Sequence, residues 1–564
     1  MNRYWNHLVT STEKRVERFL KMQVMDTQSR EYGRLRSDVV EGKETIYILA
    51  DAVSLYFLSD SKFYKSSELL QRISAGLSFV ERWQRPDGSL DFPTCNFFSA
   101  PDTAFCFRRL YGAYGILKQY GDNEKSAELA SRYLAVMLKC LPIIMYGGFH
   151  TPNHRWAVTS VLSCIQILAG QYPDIALNIP AFETPFTNIE DLQDAIQSRI
   201  DEYLAEGIDG DKDGEYAERS TGGYNAVVDK CLITMYECTN NPEYLGFVER
   251  NLEMMLYYIE PNDTIFTQNS TRQDNGKLLY LDGYFPLYAF MAAETGNPLF
   301  GKAAHKIIKD NMERGDLAPD CLHLFMLNPK MQNYSFKDYG YLDSYRKFFP
   351  GSQVLRFRNE NYSYSVLGNN SHFLFVHFNK MPIAVRIGTS YCDVRSFISQ
   401  DMEVTPDGCK LSATVNGWYY EPFENPPETS DWWAMDHTKR KKINTSSLKT
   451  VVTIKELEKG LDISVKTEGL DGLPLRTEVR IPKDTIVEND TFYTTAEKGG
   501  QLVLKQGDLS VTDETETVVI SSGSSDSYHT FKGHYSGEDR HTEGYTVFLN
   551  DYTPSERHFT ITLK

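Results

Sequence analysis

The chain of 564 residues is predicted to be an α+β protein of two domains, an N-terminal (α/α) toroid of helical hairpins followed by an antiparallel β-sandwich-type domain. Three observations support this fold class. The chain is too long for a single hydrophobic core. Its apolar residues recur with a helical period up to about residue 345, and from about residue 350 they alternate with polar residues. The expected domains are therefore 1–345 and 346–564.

The toroid is inferred from the number of helices and the turns between them. Amphipathic segments follow one another without intervening strands, separated by turn signals such as RPDGS at 85–89. Such segments stack as antiparallel hairpins, and a long series of hairpins can curl into a toroid. The candidate helices are 3–22, 44–58, 64–84, 102–120, 123–141, 153–169, 189–205, 222–239, 242–259, 282–294 and 297–313.

The last third of the chain carries the alternation that is typical of strands. Between residues 351 and 388 this alternation is broken only by the turns RNEN, GNN and NKMP. An antiparallel sandwich or a pair of stacked sheets is the expected result. Further strand segments are 409–417, 449–457, 460–468, 474–480, 501–505, 516–520, 543–548 and 557–563.

One polar segment, at 421–446, interrupts the strand pattern. It contains Trp432 and Trp433 and the basic run KRKK at 439–442. We predict a long loop here. The loop is either a solvated excursion or a lid or sugar-stacking edge, and the sequence leaves both interpretations open.

Charge and hydropathy limit the possible partners. With 59 basic and 76 acidic residues the net charge is −17, which argues against nucleic acid. An anionic ligand is compatible with this charge, because a few arginines in a cleft outweigh a diffuse negative surface locally. No run approaches the roughly 18 apolar residues of a membrane span, so no membrane partner is expected. The N-terminus lacks the apolar core of a signal peptide, which predicts a cytoplasmic protein as numbered, or a periplasmic or secreted one if a leader was removed.

Neither a metal nor a cofactor is expected. The nine cysteines are scattered, do not pair at metal-ligand spacing, and are interpreted as free core thiols. The acidic segment DGDKDG at 209–214 is similar to the first half of a calcium loop. However, Ser220 stands where such a loop needs its twelfth-position glutamate, so an ordinary tight turn is favoured.

The most reactive side chains lie between residues 206 and 230, where a glycine- and aspartate-rich turn leads into an apolar-periodic helix. Ionisable groups at such a point face a pocket together with the helix's first N–H groups and its dipole. Glu215, Glu218 and Tyr224 are candidates for catalysis. Arg219 is a candidate for bidentate binding of a carboxylate.

A second cluster is the segment HTPNHRW at 150–156, where a proline and an asparagine suit a helix N-terminus. The side chains of interest are Asn153, His154, Arg155 and Trp156. A ligand-binding role for this cluster competes with plain helix capping and core packing.

Two further polar loops open helices. One contains Arg272, Gln273 and Asp274, and the other, NFFSAPD, ends at Asp102. Hairpin stacking brings alternate loops to one end of a toroid, so all four loops are expected to line one cleft. Several polar side chains of the first strands are as well placed to face the helices as to face away: His372, His377, Arg386, Tyr391 and Arg395.

These motifs resemble those of the heparinase II/III-like and oligoalginate-type polysaccharide lyases. The matching residues are the Asn153–His154 pair at one helix start and the segment DGEYAERSTGGY, ending at Tyr224, at a later one. The helical-then-β order also fits, so the resemblance spans most of the chain. It implies an incomplete (α/α) toroid packed on an antiparallel β domain, with a cleft that cleaves uronate polymers by β-elimination.

The resemblance also implies roles for single residues. Asn153 holds the uronate carboxylate, His154 assists charge neutralisation or proton removal, and Tyr224 is both base and acid. Glu218 is a further catalytic candidate. An acidic poly- or oligosaccharide is the expected partner, and an oligomer is compatible with the sequence. The candidates for substrate binding are Arg155, Trp156, Arg219, Arg272, Gln273, Asp274, Asp102 and His372.

The proposed chemistry is coherent by itself. Removing the C5 proton of a uronate places negative charge on the neighbouring carboxylate, which an amide and cations stabilise as an oxyanion hole does. Tyrosine is a weak base in water, so Arg219, Arg155 or a protonated His154 is expected to favour its phenolate. The phenol then protonates the leaving glycosidic oxygen. No metal is required for these steps.

Two alternatives are left open. A glycoside hydrolase on the same scaffold, such as an exo-acting uronidase of the β-glucuronidase type, would use two carboxylates. These would be Glu215 or Glu218, paired with Asp102 or Asp274. A chain that only binds glycans or other proteins is the second alternative. It predicts that the residues of the two motifs lie far apart or in apolar surroundings.

Overall fold

A computed structural model describes all residues except 1, 183, 336–341, 343, 524–528, 531–537 and 539. The chain divides into two compact units. The first comprises Met1–Leu256 with Asp263–Tyr341, and the second comprises Tyr257–Asn262 with Leu342–Lys564. The first unit is helical and the second consists of β-sheets, which confirms the predicted fold class.

The predicted helices are confirmed, with ends that differ by a few residues. A 3₁₀ turn at Leu281–Tyr284 precedes α12. The helices are α1 (Asn2–Met22), α2 (Lys43–Phe57), α3 (Ser67–Trp83), α4 (Ala100–Tyr120), α5 (Glu124–Lys139), α6 (Leu141–Tyr146), α7 (Pro152–Gln171), α8 (Pro173–Ala176), α9 (Ile189–Ala205), α10 (Tyr224–Thr239), α11 (Glu243–Leu256), α12 (Phe285–Thr295), α13 (Pro298–Arg314), α14 (Leu322–Leu327) and α15 (Pro329–Asn333).

The long helices of the first unit form an inner and an outer series. α2, α4, α7, α10 and α12 each pack against the next member of this series and are buried on more than one face, which makes them the inner helices. The amphipathic helices α3, α5, α9, α11 and α13 cover them from outside. Because α1 contacts both α2 and α13, the series closes on itself, as expected of an (α/α) toroid.

Among the described residues, Glu124–Tyr146 is the stretch that is long and apolar enough to cross a membrane by length and composition. The sequence pattern did not single it out. It comprises α5 and α6, and 67% of its most apolar window is buried inside the protein. Buried core helices meet the same criterion, so packing within the toroid accounts for its composition.

The second unit contains two sheets. Its strands are β1 (Tyr345–Phe349), β2 (Val354–Arg358), β3 (Ser363–Leu367), β4 (His372–Phe378), β5 (Met381–Tyr391), β6 (Val394–Ser396), β7 (Asp401–Thr405), β8 (Gly408–Tyr420), β9 (Lys442–Leu457), β10 (Gly460–Gly469), β11 (Pro474–Ile481), β12 (Ile486–Asn489), β13 (Phe492–Thr495), β14 (Gln501–Val503), β15 (Asp508–Thr512), β16 (Thr517–Ser521), β17 (Tyr545–Tyr552) and β18 (Ser555–Leu563).

The two sheets face each other across one hydrophobic core. One has the order β1-β2-β3-β4-β5-β11-β17-β14, with β6 beside β5, and the other has the order β13-β12-β15-β16-β18-β10-β9-β8-β7. Neighbouring strands are antiparallel, apart from the parallel pair β14 and β17. Val376 and Val479 of the first sheet and Val452 and Ile463 of the second belong to the same buried cluster. The β-sandwich prediction is confirmed.

The short segment Tyr257–Asn262 belongs to the strand unit, although it directly follows α11 in the chain. Its buried Glu260 pairs through Oε1 with Arg356 Nη1 at 2.7 Å, and its Oε2 accepts a hydrogen bond from Ser363 Oγ at 3.3 Å. Burial alone would raise the pKa of Glu260, but the Arg356 guanidinium holds that pKa below its usual value. These contacts attach the segment to β2 and β3.

The loop predicted at 421–446 ends earlier than expected, because β9 begins at Lys442. It contains two short 3₁₀ turns. The centres of the His437 and Trp432 rings lie 4.2 Å apart, whereas Trp433 is 87% exposed. In this loop the Trp433 indole is exposed, while Trp432 packs against His437. This geometry is compatible both with a solvated excursion and with a lid or sugar-stacking edge.

The cysteines are free thiols, as the sequence predicts. The expectation that all of them belong to the core is wrong for Cys95 and Cys392, which are exposed. Both lie in turns rather than in the helices and strands whose apolar faces form the cores.

Candidate active site

The two sequence motifs occupy the starts of two helices that pack against each other in the first unit. Pro152 begins α7 and places Asn153 and His154 in the first turn. Tyr224 is the first residue of α10 and follows an irregular loop. Both motifs therefore stand where backbone N–H groups are free and where loops supply further side chains.

Glu218 joins the two motifs directly. Its Oε2 accepts two hydrogen bonds from Asn153, one from the backbone N–H at 3.0 Å and one from the side-chain Nδ2 at 2.7 Å. Both side chains are buried, and bonds to a carboxylate are strong in such surroundings. This contact, between residues 65 positions apart, fixes the loop before α10 against the start of α7.

Arg272 extends the contact to the tyrosine. Its Nε lies 3.3 Å from Glu218 Oε1, and its Cζ lies 5.2 Å from the centre of the Tyr224 ring. The Tyr224 hydroxyl donates to Gln273 Oε1 at 3.3 Å. The guanidinium thus lies near the phenol ring, where a cation is attracted to the aromatic face. Asn153, Glu218, Arg272 and Tyr224 thus form one continuous group.

The Asn153 amide is oriented by its neighbours. Besides its bond to Glu218, Nδ2 donates to Thr151 Oγ1 at 2.9 Å, so both amide hydrogens are used. The buried Oδ1 has no hydrogen-bond partner among the residues that the structure describes. The free position is therefore an acceptor, which suits a donor such as a protonated carboxyl group.

His154 lies partly buried next to this group, with its ring centre 6.1 Å from that of His150. Its Nδ1 finds no partner within the described part of the chain. Burial lowers the pKa of His154 below its usual value, and Asp102 opposes this only in part. This direction disfavours a protonated His154, so Arg272 is the cation closest to Tyr224 in the group.

Asp102 lies in the first turn of α4 and is buried. Its Oδ2 accepts hydrogen bonds from Asn96 Nδ2 and Ser99 Oγ, both at 2.8 Å, and Lys43 Nζ lies 3.2 Å from Oδ1. Both oxygens of the Asp102 carboxylate are therefore bound by protein side chains, and Asp102 holds those side chains in place. The sequence did not indicate Lys43, because nothing at the start of α2 distinguishes it from a surface lysine.

Asp274 holds the loop before Tyr224 in place. Its Oδ1 accepts from Ser220 Oγ at 2.9 Å and Ser270 Oγ at 2.6 Å, and its Oδ2 accepts from the Gly222 N–H at 2.9 Å. A Cβ on Gly222 would also lie 2.9 Å from Asp274 Oδ2, so glycine permits this close approach. Asp274 is engaged by the protein, and its contact with a substrate stays a prediction.

Glu215, in the same loop, is enclosed by protein. It is 3% exposed, and Asn225 Nδ2 and Asn269 Nδ2 donate to its oxygens at 3.1 and 3.2 Å. Burial raises the pKa of Glu215 from 4.5 to about 7 in spite of these bonds. It therefore carries a proton more readily than an ordinary glutamate, and both of its oxygens accept hydrogen bonds from amide groups of the protein.

The acidic segment at 209–214 is the tight turn that the sequence favours. Asp211 Oδ1 accepts from the backbone N–H groups of Asp213 at 2.8 Å and Glu215 at 2.9 Å. Gly214 adopts a φ of 92°, and a Cβ there would lie 2.2 Å from a backbone oxygen of α11. The turn thus requires glycine where the chain passes α11.

Arg155 and Trp156 face the protein. Trp156 is fully buried, and its indole N–H donates to Asp209 Oδ1 at 2.6 Å. Arg155 Nη1 pairs with Glu206 Oε2 at 2.8 Å, and its Nη2 lies 3.5 Å from Asp209 Oδ1. Both side chains hold the turn that begins at Glu206 against α7, which corrects their expected role as substrate contacts.

Arg219 and His372 differ in their surroundings. Arg219 adopts a φ of 48°, is partly exposed, and makes no side-chain hydrogen bond or ion pair with any residue described here. Its guanidinium is free to meet an anion. His372 lies on β4 of the second unit, where its Nε2 is 3.0 Å from Arg480 Nη1. Its contact with a substrate stays a prediction.

Two exposed aromatic side chains precede α4. Phe97 and Phe98 are 56% and 60% exposed. Phe98 adopts a φ of 50°, its N–H donates to Asp91 Oδ1 at 2.8 Å, and Arg85 Cζ lies 4.5 Å from its ring centre. The sequence identifies this loop, but only the structure shows that both rings are exposed to solvent.

The two units and this group of side chains define a class of fold, the (α/α) toroid followed by a β-sandwich-type domain. No protein-family model and no curated protein sequence matches the chain. The solved structures that share the fold include polysaccharide lyases, so the predicted resemblance is confirmed at the level of fold.

Three of these structures illustrate the likeness. A mutant heparan sulfate lyase from Pedobacter heparinus has 9% identity and a TM-score of 0.54, with 98% of this chain and 82% of that chain covered. A Paenibacillus xanthan lyase has 10% identity and a TM-score of 0.59; all of this chain (100%) matches only 57% of that longer chain. A Streptomyces coelicolor A3 chondroitin AC lyase has 10% identity and a TM-score of 0.54, with 100% and 80% covered.

Proposed function

We propose that the chain is a poly- or oligosaccharide lyase that cleaves uronic-acid-containing glycans by β-elimination. The observation that carries this proposal is the series of contacts from Asn153 through Glu218 and Arg272 to the Tyr224 ring. It unites an amide acceptor, a cation and a phenol beside a neutral imidazole. The fold supports the same class of activity, because the similar solved structures are a heparan sulfate lyase, a xanthan lyase and a chondroitin AC lyase.

Tyr224 is assigned the proton transfers. Tyr224, with the Arg272 guanidinium near its ring, takes the proton from C5 of the uronate. The resulting phenol donates that proton to the leaving glycosidic oxygen. Gln273 accepts the Tyr224 hydroxyl hydrogen in the free protein and so orients the phenol before substrate arrives.

The uronate carboxyl group is assigned to Asn153 and Arg219. Since both Nδ2 hydrogens of Asn153 are used, its Oδ1 binds the carboxyl group only when that group carries a proton. A carboxyl group that carries a proton is neutral, so it takes up the electron density released at C5 more easily than a carboxylate does. Arg219, with no protein partner among the described side chains, attracts the anionic sugar.

His154 is assigned a supporting role in proton removal. Burial keeps its imidazole neutral, and Nδ1 finds no acceptor or donor among the residues described. A neutral imidazole can accept a proton, so His154 assists Tyr224 in removing the C5 proton.

The hydrolase alternative has less support from the geometry. Glu215 has the raised pKa of a general acid, but both of its oxygens accept hydrogen bonds from protein amides, and Glu218 already binds Asn153 and Arg272. Asp102 is occupied in the same way by protein donors. No pair of these carboxyl groups is therefore free to flank a glycosidic bond as a hydrolase requires.

The reaction class is tested with a panel of uronate-containing glycans in isotopically labelled water. Elimination creates an unsaturated uronate that absorbs ultraviolet light, and it adds no solvent oxygen to the new ends. We expect absorbing product from at least one glycan. Labelled oxygen at a new reducing end, without absorbance, would identify a hydrolase instead.

Tyr224→Phe tests the assigned proton transfers. Loss of a general acid–base group lowers turnover by about 10²- to 10⁴-fold, and the melting temperature should stay unchanged because the ring is retained. Tyr236→Phe is the matched control. It lies on the same helix, and its hydroxyl donates to Glu294 Oε1 at 2.9 Å, outside the group. Turnover that survives in Tyr224→Phe would refute the assignment.

A further inference from the structure

Cys164 and Cys238 face each other where α7 and α10 pack together. Their Sγ atoms lie 3.7 Å apart. Cys164 is 1% exposed, whereas Cys238 is partly exposed near the end of α10. No other two cysteines make such a contact within the part of the chain that the structure describes. The pair thus combines a partly exposed cysteine with a buried one, with their sulfur atoms in van der Waals contact.

We propose that Cys164 and Cys238 form a reversible thiol–disulfide exchange site that crosslinks α7 to α10. A disulfide bond is about 2.05 Å long, so the two sulfur atoms approach by roughly 1.7 Å on oxidation. Side-chain rotation can supply a shift of this size. Cys238 meets the oxidant because it is the exposed member, and Cys164 completes the bond.

A low-molecular-weight disulfide such as oxidised glutathione supplies the oxidising equivalents. The Cys238 thiolate attacks one glutathione sulfur, a glutathione thiolate leaves, and a mixed disulfide forms. Cys164 then loses its proton to solvent and attacks Cys238 Sγ, and the second glutathione thiolate leaves. Two protein thiols and one glutathione disulfide become one protein disulfide and two glutathione thiols.

The surroundings favour this order of events. The hydrogen bond with Cys238, together with burial, raises the pKa of Cys164 well above its usual value, so Cys164 is the thiol that keeps its proton. The Arg108 guanidinium opposes this rise and so favours the Cys164 thiolate. Once Cys238 has reacted, its hydrogen bond to Cys164 changes and the second step can follow.

The crosslink lies away from the candidate active site. Cys164 stands 11 residues (164 − 153) after Asn153 in α7, and Cys238 stands 14 residues (238 − 224) after Tyr224 in α10. At about 1.5 Å per residue these separations are roughly 16 and 21 Å along the helix axes. Oxidation therefore ties together the two helices that carry the motifs without altering either motif.

The test uses the full chain with Cys95→Ser and Cys392→Ser, which remove the exposed thiols that would react singly. After incubation with oxidised glutathione we expect the loss of two thiols and a mass lower by two hydrogens. A proteolytic peptide should join Cys164 to Cys238. The melting temperature should rise by about 2 to 4 °C and fall back after reduction, because the crosslink closes a long loop in the unfolded chain.

Two further variants separate the steps. In the same background, Cys164→Ser should accumulate glutathione on Cys238 without a rise in melting temperature, and Cys238→Ser should leave Cys164 unmodified. The mass of the unaltered pair decides the matter even if these variants fold poorly. A stable glutathione adduct on Cys238 beside an intact Cys164, or two unreacted thiols in the folded protein, would overturn the proposal.

Discussion

Glu215 and Glu218 are the same residue type three positions apart in one loop, yet their surroundings differ. Glu218 receives two hydrogen bonds from Asn153 and lies 3.3 Å from the Arg272 guanidinium. Glu215 accepts hydrogen bonds from the neutral amides of Asn225 and Asn269, and Arg219 offsets the effect of its burial only in part. Both are buried. Glu218 thus holds Asn153 and Arg272 in position, whereas burial raises the pKa of Glu215.

The largest expected effect concerns the enclosed glutamate and is a pH dependence of stability. Burial raises the pKa of Glu215 from 4.5 to about 7, so between these values the folded chain holds a proton that the unfolded chain has released. Stability is therefore lost as the pH rises from about 4.5 to about 7, by about 3 kcal/mol at roughly 1.4 kcal/mol per pKa unit.

Denaturant unfolding of the wild type and Glu215→Gln across this pH range isolates that contribution. The difference in free energy of unfolding between the two proteins should change with pH, because glutamine keeps the amide contacts but cannot ionise. A difference that stays constant from about pH 4.5 to 7 would mean that Glu215 ionises as an exposed glutamate does.

The next effect concerns the paired glutamate and is catalytic. Glu218→Gln keeps an oxygen for Asn153 but turns an amide group toward Arg272, which releases the guanidinium from its position. We expect kcat to fall by about 10- to 100-fold, with little change in stability. Glu215→Gln, assayed near neutral pH, is the matched control and should stay within about twofold of wild type. An equal fall in kcat in both variants would show that Glu215 and Glu218 do not differ in their contribution to catalysis.

A smaller effect is expected where α7 holds the start of the loop. Trp156→Phe removes the indole N–H that donates to Asp209 Oδ1 and leaves that oxygen short of a donor. The free energy of unfolding should fall by about 1 to 2 kcal/mol, while KM stays unchanged. A raised KM with an unchanged free energy of unfolding would instead indicate that Trp156 contacts the substrate.

The smallest effect concerns Arg219, which follows Glu218 in the loop. Its side chain is partly exposed and unpaired among the described residues, so Arg219→Gln should raise KM by about three- to tenfold and leave kcat unchanged. The increase should shrink at high salt, because exposed charges are screened. A fall in kcat at saturating substrate would place Arg219 at the reacting atoms instead.

Much of the fold was predictable because long amphipathic helices and alternating strands carry strong periodic signals. The short helices α6, α8, α14 and α15 were missed, since segments of four to six residues are too short to show a helical period. The segment 257–262 gives no sequence sign that it packs with strands, because its attachment depends on one carboxylate meeting Arg356 far along the chain.

The site was predictable in part for a similar reason. Asn153 and Tyr224 stand in short motifs at helix starts, which the sequence displays directly. Their connection through Glu218 was not visible, because it joins residues 65 positions apart. Trp156 was assigned to substrate because an aromatic residue beside a motif gives no sign of whether its face meets protein or cleft. Burial alone decides that question.

The ion pair between Glu260 and Arg356 limits how the strand unit can be produced as a separate fragment. A fragment that starts after the helices would contain Arg356, whose side chain has 0% exposure, but not its carboxylate partner. Leaving a buried charge uncompensated costs about 3 to 5 kcal/mol, a large share of what holds a domain together. A soluble strand fragment would therefore need the residues around Glu260 supplied as a separate peptide or grafted onto its N-terminus.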